Sequence, residues 1–384
     1  MEFEFATATR IIFGNSTVKK ITSLAAEFGK NAFLVTDKNV EYAQTIRGEL
    51  SGAGFGCKVF YTQGEPSTKS AMEAVEKARN AKADFVIGLG GGSVLDTGKV
   101  VASMLNNSGD IMDYLEVVGK GLPIQNPSAG YIAIPTTSGT GAEVTRNAVL
   151  AVPEHNVKVS MRSPFLLPRI ALVDPELTIS APPSVTASTG LDALTQLLEA
   201  YVSNKANPLT DGICLQGLER AARSLKKAYL DGCDKNARQD MSIASLFGGL
   251  SLANAKLGAV HGFAGPLGGM IHAAHGAICA ALLPWVFQAN VKALSQRASD
   301  PAILERFETL SRILTNDPAA TSADAVKWIS QLCSDLKVPG LSQLGLKEDQ
   351  FETAVEKAQN ASSMKGNPIM LNPEELLGIL EQAY

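Results

Sequence analysis

Three side chains with metal-binding chemistry stand in glycine-containing segments of this sequence. The segment Gly190-Leu191-Asp192-Ala193-Leu194-Thr195-Gln196 has helical spacing, so Asp192 and Gln196, four positions apart, share one helix face. Gly258-Ala259-Val260-His261-Gly262 comes later, and His275-Gly276 follows it. Only four histidines occur in 384 residues, yet His261, His272 and His275 fall within fifteen positions. One carboxylate and two imidazoles are enough to hold a catalytic zinc or iron and leave a position open for substrate. An Asp at a helix start can also simply favour the dipole, and an isolated His is commonly a packing residue, so both readings stand at this level.

A second group of residues has anion-binding character. Phe85-Val86-Ile87-Gly88-Leu89-Gly90-Gly91-Gly92-Ser93 runs from an apolar strand through three glycines into a helix. Glycine lets backbone approach a phosphate, and the helix start offers N–H groups and a positive dipole end. The spacing departs from GxGxxG, because Ser93 takes the third glycine's place, and a purely structural turn has the same appearance. Ile134-Pro135-Thr136-Thr137-Ser138-Gly139-Thr140-Gly141 is a second such loop, rich in hydroxyls. Asp37 ends the strand Phe33-Leu34-Val35-Thr36, where a carboxylate accepts from a ribose 2′-hydroxyl and repels a 2′-phosphate. Together these signals point to a dinucleotide, NAD rather than NADP.

The elements that must position these residues change character along the chain. Strands are expected at Ala32–Thr36, Lys58–Thr62, Phe85–Leu89, Tyr131–Pro135 and Ile170–Asp174, with helices between them at Lys69–Ala81 and Val94–Leu105. Such alternation implies a Rossmann-like, mostly parallel sheet covered on both faces. After Pro182-Pro183, helical patterns take over at Ser188–Val202, Leu209–Leu230, Ala237–Leu252, Leu304–Leu314, Ser322–Leu336 and Pro373–Gln382. The expected organisation is an α/β dinucleotide-binding domain over residues 1–178 and an all-helical metal-binding domain over 179–384. Cofactor and metal are expected to meet in the cleft between them.

Composition narrows the partners. Apolar residues make up 45% and charged residues 19%, with net charge −4, a globular profile with no basic surface to follow nucleic acid. The Met1-Glu2-Phe3-Glu4-Phe5 start carries acids where a signal peptide carries Lys or Arg. The apolar stretch Ile278 to Phe287 is too short to span a bilayer and contains Pro284. Five cysteines without a CxxC pair read as reduced thiols. The expectation is a cytoplasmic protein acting on a small molecule, without membrane or nucleic-acid partners.

With these residues in view, the chain resembles the iron-containing (group III) alcohol dehydrogenase family along essentially its whole length. The matching segments are Gly90-Gly91-Gly92-Ser93 with Asp96 and Lys99, Pro135 through Thr145, Asp174-Pro175-Glu176-Leu177-Thr178, Gly190-Leu191-Asp192-Ala193-Leu194, the His261/His275 segment, and Gly366-Asn367-Pro368. The resemblance implies a dehydroquinate synthase-like architecture and NAD(P)-linked interconversion of a small alcohol and its aldehyde or ketone at an iron or zinc ion. It implies that Gly90, Gly91, Gly92 and Ser93 hold the pyrophosphate and that Asp96 lies near the nicotinamide ribose. Thr136, Thr137 and Ser138 would line the adenosine side, and Lys158 would reach the nicotinamide ribose. Asp192, His261 and His275 match metal ligands, and the family commonly forms dimers or larger homo-oligomers.

Two departures bear on function. The family helix carries a ligand His four residues after the Asp, and here that position is Gln196, able to bind weakly through its oxygen or to hold a metal-bound water. The usual His-Gly-x-x-His-Pro reads His261-Gly262-Phe263-Ala264-Gly265-Pro266, so Gly265 opens room and removes a proton shuttle. His272 is a candidate to fill that room, and Asn147, Phe263 and Gly265 are candidate pocket positions. Three protein ligands remain sufficient for zinc. A metal-free nucleotide-binding protein is the alternative that Gln196 and Gly265 motivate. A reductase of an acidic keto substrate, similar to maleylacetate reductases, stays open within the dehydrogenase class. A dehydroquinate synthase-like lyase would need Lys and Arg around the metal, and the Asp192 helix carries none before Lys205.

Overall fold

A computed structural model describes residues 2–155, 157–271, 273–297 and 301–384. Eight strands occur among them: β1 (Arg10–Phe13), β2 (Asn31–Asp37), β3 (Gly56–Thr62), β4 (Phe85–Gly90), β5 (Gly130–Pro135), β6 (Asn147–Val152), β7 (Val157–Arg162) and β8 (Ile170–Val173). Six form one parallel sheet in the order β1-β8-β5-β4-β2-β3, while β6 and β7 pair antiparallel as a separate ribbon. The accompanying helices are α1 (Ile21–Ala25), α2 (Tyr42–Gly52), α3 (Thr68–Asn80), α4 (Gly92–Asn106) and α5 (Ile111–Tyr114). Each expected strand falls on a sheet strand; β1 and the β6–β7 ribbon are additional.

The sheet is buried on both faces, which is why its strands read as continuous apolar runs. In β2, Phe33 and Val35 join one core with Ala74 and Val100, while Ala32 and Leu34 join another with Ile21, Ile46 and Leu50. The C-terminal ends of β2, β4 and β5 lie side by side, since Thr36 pairs with Leu89 and Gly90 with Pro135. Asp37, the three glycines and Thr136 therefore leave the sheet along one edge.

Residues Thr7–Thr137 and Gly141–Ser180 make this compact unit. The second unit comprises Ser138–Thr140, Ala181–Tyr384 and the N-terminal residues through Ala6. It is built of α6 (Pro183–Val202), α7 (Pro208–Leu230), α8 (Lys235–Ala255), α9 (Ala259–Ile271), α10 (His275–Arg297), α11 (Pro301–Thr315), α12 (Ser322–Asp335), α13 (Phe351–Asn360) and α14 (Pro373–Ala383). Proline at the first helical position and an Asn207 side chain accepting from Leu209 and Thr210 N–H fix the start of α7.

Helices α9 and α10, which carry the histidines, lie outside the helices expected from periodicity. Pro266 and Pro284 sit inside them without ending them. Helix α10 is long and apolar enough to cross a membrane by length and composition alone, which corrects the expectation of too short a stretch. Its Ile278, Leu282 and Val286 are buried in the helical core, so burial within the protein accounts for the hydrophobicity. A Cβ on Gly276 would stand 2.2 Å from the Ser188 carbonyl oxygen, so only glycine allows α10 to begin this close to α6.

Candidate metal centre and nucleotide loops

Asp192 projects from the middle of α6, His261 from the first turn of α9, and His275 opens α10. Their donor atoms converge with a fourth, the Cys279 sulfur, and all lie within 4.8 Å of one another. Asp192 Oδ1 is 3.2 Å from His261 Nε2 and 3.9 Å from His275 Nε2. Cys279 Sγ is 3.9 Å from His261 Nε2 and 3.7 Å from His275 Nε2. Asp192, His261 and Cys279 are buried, whereas the His275 side chain is 40% exposed and gives the cluster its open side.

The cluster is oriented by a second layer. Glu199, one turn beyond Gln196 on α6, accepts from His261 Nδ1 at 2.7 Å and from Val260 N–H at 2.6 Å. This bond keeps the His261 proton on Nδ1 and turns Nε2 toward Asp192. Asn367 Oδ1 accepts from Ala259 N–H at 3.0 Å and fixes the start of α9, which gives the Gly366-Asn367-Pro368 segment a structural task. Gln196 Nε2 donates to Asp192 Oδ2 at 3.3 Å, while its buried Oε1 has no hydrogen-bond partner.

Charge in the cluster is strongly coupled. Burial pushes the Asp192 carboxyl up, but the His261 hydrogen bond and the His275 and His261 charges outweigh it and leave it below its ordinary value. Burial works against a charged His261, yet Cys279, Asp192 and Glu199 together raise it well above the usual histidine value. Burial likewise opposes the Cys279 thiolate, and the two histidines overcome it and lower its pKa. Donors that hold protons this way are donors to a divalent cation as well, because metal and proton compete for the same lone pairs. The donor set and its spacing fit such an ion.

On the nucleotide side, Gly91 caps α4 without a side chain, so the first-turn N–H groups of Gly92 and Ser93 face outward for an anion. A Cβ on Gly90 would meet Val94 at 2.6 Å. Thr136 N–H donates to the Gly90 carbonyl and joins the two loops. Ser138 is buried against Ser242, 3.3 Å away, within the helical unit. Asp37 Oδ1 accepts from Asn39 N–H at the end of β2.

Two predicted cofactor residues have partners within the protein. Asp96 is held between Lys99, at 3.4 Å, and Val149 N–H, at 2.9 Å. Lys158, on β7, pairs with Glu65 at 2.5 Å. Of the candidate pocket positions, Phe263 is fully buried in the helical core and the Asn147 carbonyl accepts from Lys99. A Cβ on Gly265 would find no atom within 4 Å, so room exists there; His272, the candidate to fill it, lies outside the described residues.

Cys279 and Glu199 are the residues that sequence reasoning passed over. Glu199 was within reach of the argument used for Asp192 and Gln196, whereas Cys279 lies on α10, a helix the periodicity does not reveal. Cys279 lies four residues after His275, and Glu199 seven after Asp192, each at helical same-face spacing.

The sequence pattern of the iron-containing alcohol dehydrogenases matches residues 8–175, and that of the Fe-containing alcohol dehydrogenase family's C-terminal domain matches residues 186–384. Long-chain-alcohol dehydrogenase 1 of Geobacillus thermodenitrificans (strain NG80-2) is 36% identical over 368 residues, covering 92% of this chain and 90% of that protein. Among solved structures, a 1,3-propanediol oxidoreductase superposes with a TM-score of 0.92 at 31% identity, covering 100% of both chains. A sulfoacetaldehyde reductase from Bifidobacterium kashiwanohense, in complex with NAD+, superposes at 0.87 with 26% identity, covering 100% of this chain and 99% of that one.

Proposed function

Because this chain belongs to the iron-containing alcohol dehydrogenase family through both of its matched segments, we propose that it interconverts a small alcohol and its aldehyde or ketone with NAD(H) at a centre formed by Asp192, His261 and His275. The observation that carries this reading is the convergence of those three donor atoms despite Gln196. Asp192, His261 and His275 would hold a divalent metal, which would supply Lewis-acid polarisation of the substrate oxygen, while bound NAD(H) would supply the hydride chemistry.

The chain's own residues do the positioning. Glu199 holds the proton on His261 Nδ1 and so keeps Nε2 available as a donor. Gln196 ties down Asp192 Oδ2 and leaves Oδ1 facing the two imidazoles. Gly90, Gly91, Gly92 and Ser93 hold the pyrophosphate at the α4 N-terminus, with Thr136, Thr137 and Ser138 on the adenosine side. Asp37 accepts from the adenosine ribose and favours NAD over NADP. Asp96 and Lys158 serve the nicotinamide ribose, Lys158 by leaving Glu65. The space at Gly265, on the same α9 face as His261, admits the substrate.

The test is metal content per chain after chelator-free purification with zinc and iron supplied, followed by an aldehyde screen with NADH. About one equivalent of metal and NADH oxidation are expected. Asp192→Ala and His261→Ala abolish turnover and leave NAD binding intact; variants that retained activity would refute the assignment. A chain that takes up no metal even after loading would support the metal-free binding protein instead.

A further inference from the structure

The fourth donor of the cluster extends this reading and rests on it. We propose that the Cys279 thiolate is itself a metal ligand, a fourth protein donor beside Asp192, His261 and His275 in the place Gln196 does not fill, with the substrate oxygen entering as a fifth ligand on the exposed His275 side, and that it makes zinc the preferred ion.

Geometry is the first argument. Tetrahedral zinc with bonds of about 2.3 Å to sulfur and about 2.0–2.1 Å to nitrogen or oxygen separates its donors by about 3.3–3.6 Å. Four of the six donor separations in this cluster are 3.2, 3.7, 3.9 and 3.9 Å, and the other two are no longer than 4.8 Å. The four printed distances lie within about 0.6 Å of that shell, so closing it asks for a modest inward shift of the side chains, His275 above all. The backbone enforces the arrangement, because His275 and Cys279 are spaced four apart on α10 and Gly276 seats that helix against α6.

The second argument is contrast with the other buried thiols. Cys214 donates to Ser251 Oγ, and Cys333 to the Ala280 carbonyl, as structural thiols do. Cys279 instead directs its sulfur at two imidazole Nε2 atoms. Gln196 is turned the other way. Its Nε2 faces Asp192, and its Oε1 would lie 2.8 Å from a Cβ on Gly248 of α8.

Coordination is balanced simply: the thiol proton leaves to solvent, a sulfur lone pair forms the metal bond, and no electron is transferred. A thiolate among imidazoles is softer than an all-nitrogen and oxygen set and selects zinc over ferrous iron.

X-ray absorption at the zinc edge of the full-length, zinc-loaded protein tests this without reference to activity. One sulfur neighbour at about 2.3 Å is expected, disappearing in Cys279→Ser. That variant, folded by circular dichroism, should bind zinc more weakly by more than the roughly 10–100-fold typical of losing an outer-sphere partner. Cobalt(II)-substituted wild type should show a near-ultraviolet sulfur-to-metal band that Cys279→Ser lacks. Zinc bound through nitrogen and oxygen alone in the wild type would overturn the thiolate ligand and leave the three-donor centre standing. A protein that binds neither zinc nor iron would remove the metal centre, and this proposal with it.

Discussion

Glu199→Gln tests the site most directly, because it removes a charge while nearly preserving shape. In the wild type one carboxylate oxygen serves Val260 N–H at 2.6 Å and the other serves His261 Nδ1 at 2.7 Å. A glutamine has a single oxygen for these two donors. If that oxygen keeps Val260, the amide NH2 faces Nδ1 and drives the His261 proton onto Nε2, the nitrogen aimed at Asp192. If it keeps Nδ1, an amide N–H confronts Val260 N–H at the buried start of α9. Either arrangement forfeits one hydrogen bond to a charged group, about 1.5–3 kcal/mol. At 1.4 kcal/mol per tenfold, zinc affinity falls by about 10–150-fold, which overlaps the roughly 10–100-fold seen on loss of an outer-sphere carboxylate. Chelator competition at fixed pH measures the zinc dissociation constant, and thermal unfolding of the metal-free protein controls for fold. A folded Glu199→Gln protein with zinc affinity within about threefold of wild type and an unchanged metal-free melting temperature would refute the claim that Glu199 sets the His261 tautomer and the α9 start.

Three further outcomes follow from the same geometry. Asp37→Ser should narrow the preference for NADH over NADPH by about tenfold or more, the value of a hydrogen bond to a charged acceptor; an unchanged ratio of kcat/KM would dissociate Asp37 from the ribose. Burial raises the Glu143 carboxyl from 4.5 to about 7. Its stabilising contribution is therefore present below pH 4.5 and lost as pH climbs through about 7, amounting to about 3 kcal/mol. Urea unfolding of Glu143→Gln should show a flatter pH dependence across that window, and a slope equal to wild type would contradict it. Gly276→Ala drives a Cβ into the Ser188 carbonyl and should cost about 1–3 kcal/mol. Gly265→Ala meets nothing within 4 Å and should gain up to about 1 kcal/mol as a better helix former; equal melting temperatures for the two would refute the packing argument.

The nucleotide half of the fold was legible because parallel strands buried on both faces are written as short apolar runs. Glycine loops follow β4, and Asp37 marks the end of β2. The β6–β7 ribbon was not legible, since its exposed and buried residues alternate over only six positions in each strand. The donor cluster of the helical half was legible residue by residue but not element by element. Asp192, His261 and His275 stood out as chemical types, yet α9 is interrupted by glycines and Pro266, and α10 is apolar on most sides. Neither carries the one-sided stripe that reveals an amphipathic helix. Cys279 stayed hidden for that reason: without the helix, its four-residue spacing from His275 had no meaning. The hydrogen bond of Lys158 to Glu65 joins residues 93 positions apart, beyond any local pattern.

The Asn367 clasp has a consequence for how the chain is made. The residue that fixes the start of α9 is synthesised 108 positions after Ala259, and its amide also bonds Asn290 on α10. Chains emerge from the ribosome N-terminal part first, so the strand-rich unit has its sequence available well before this closure is possible. His261 and His275 are both present in the nascent chain for some time while the helix starts that aim them remain unlatched. Assembly of the donor cluster thus waits for Asn367, 92 positions after His275, and a ribosome-stalled chain ending short of Asn367 should load metal poorly even with every ligand already made.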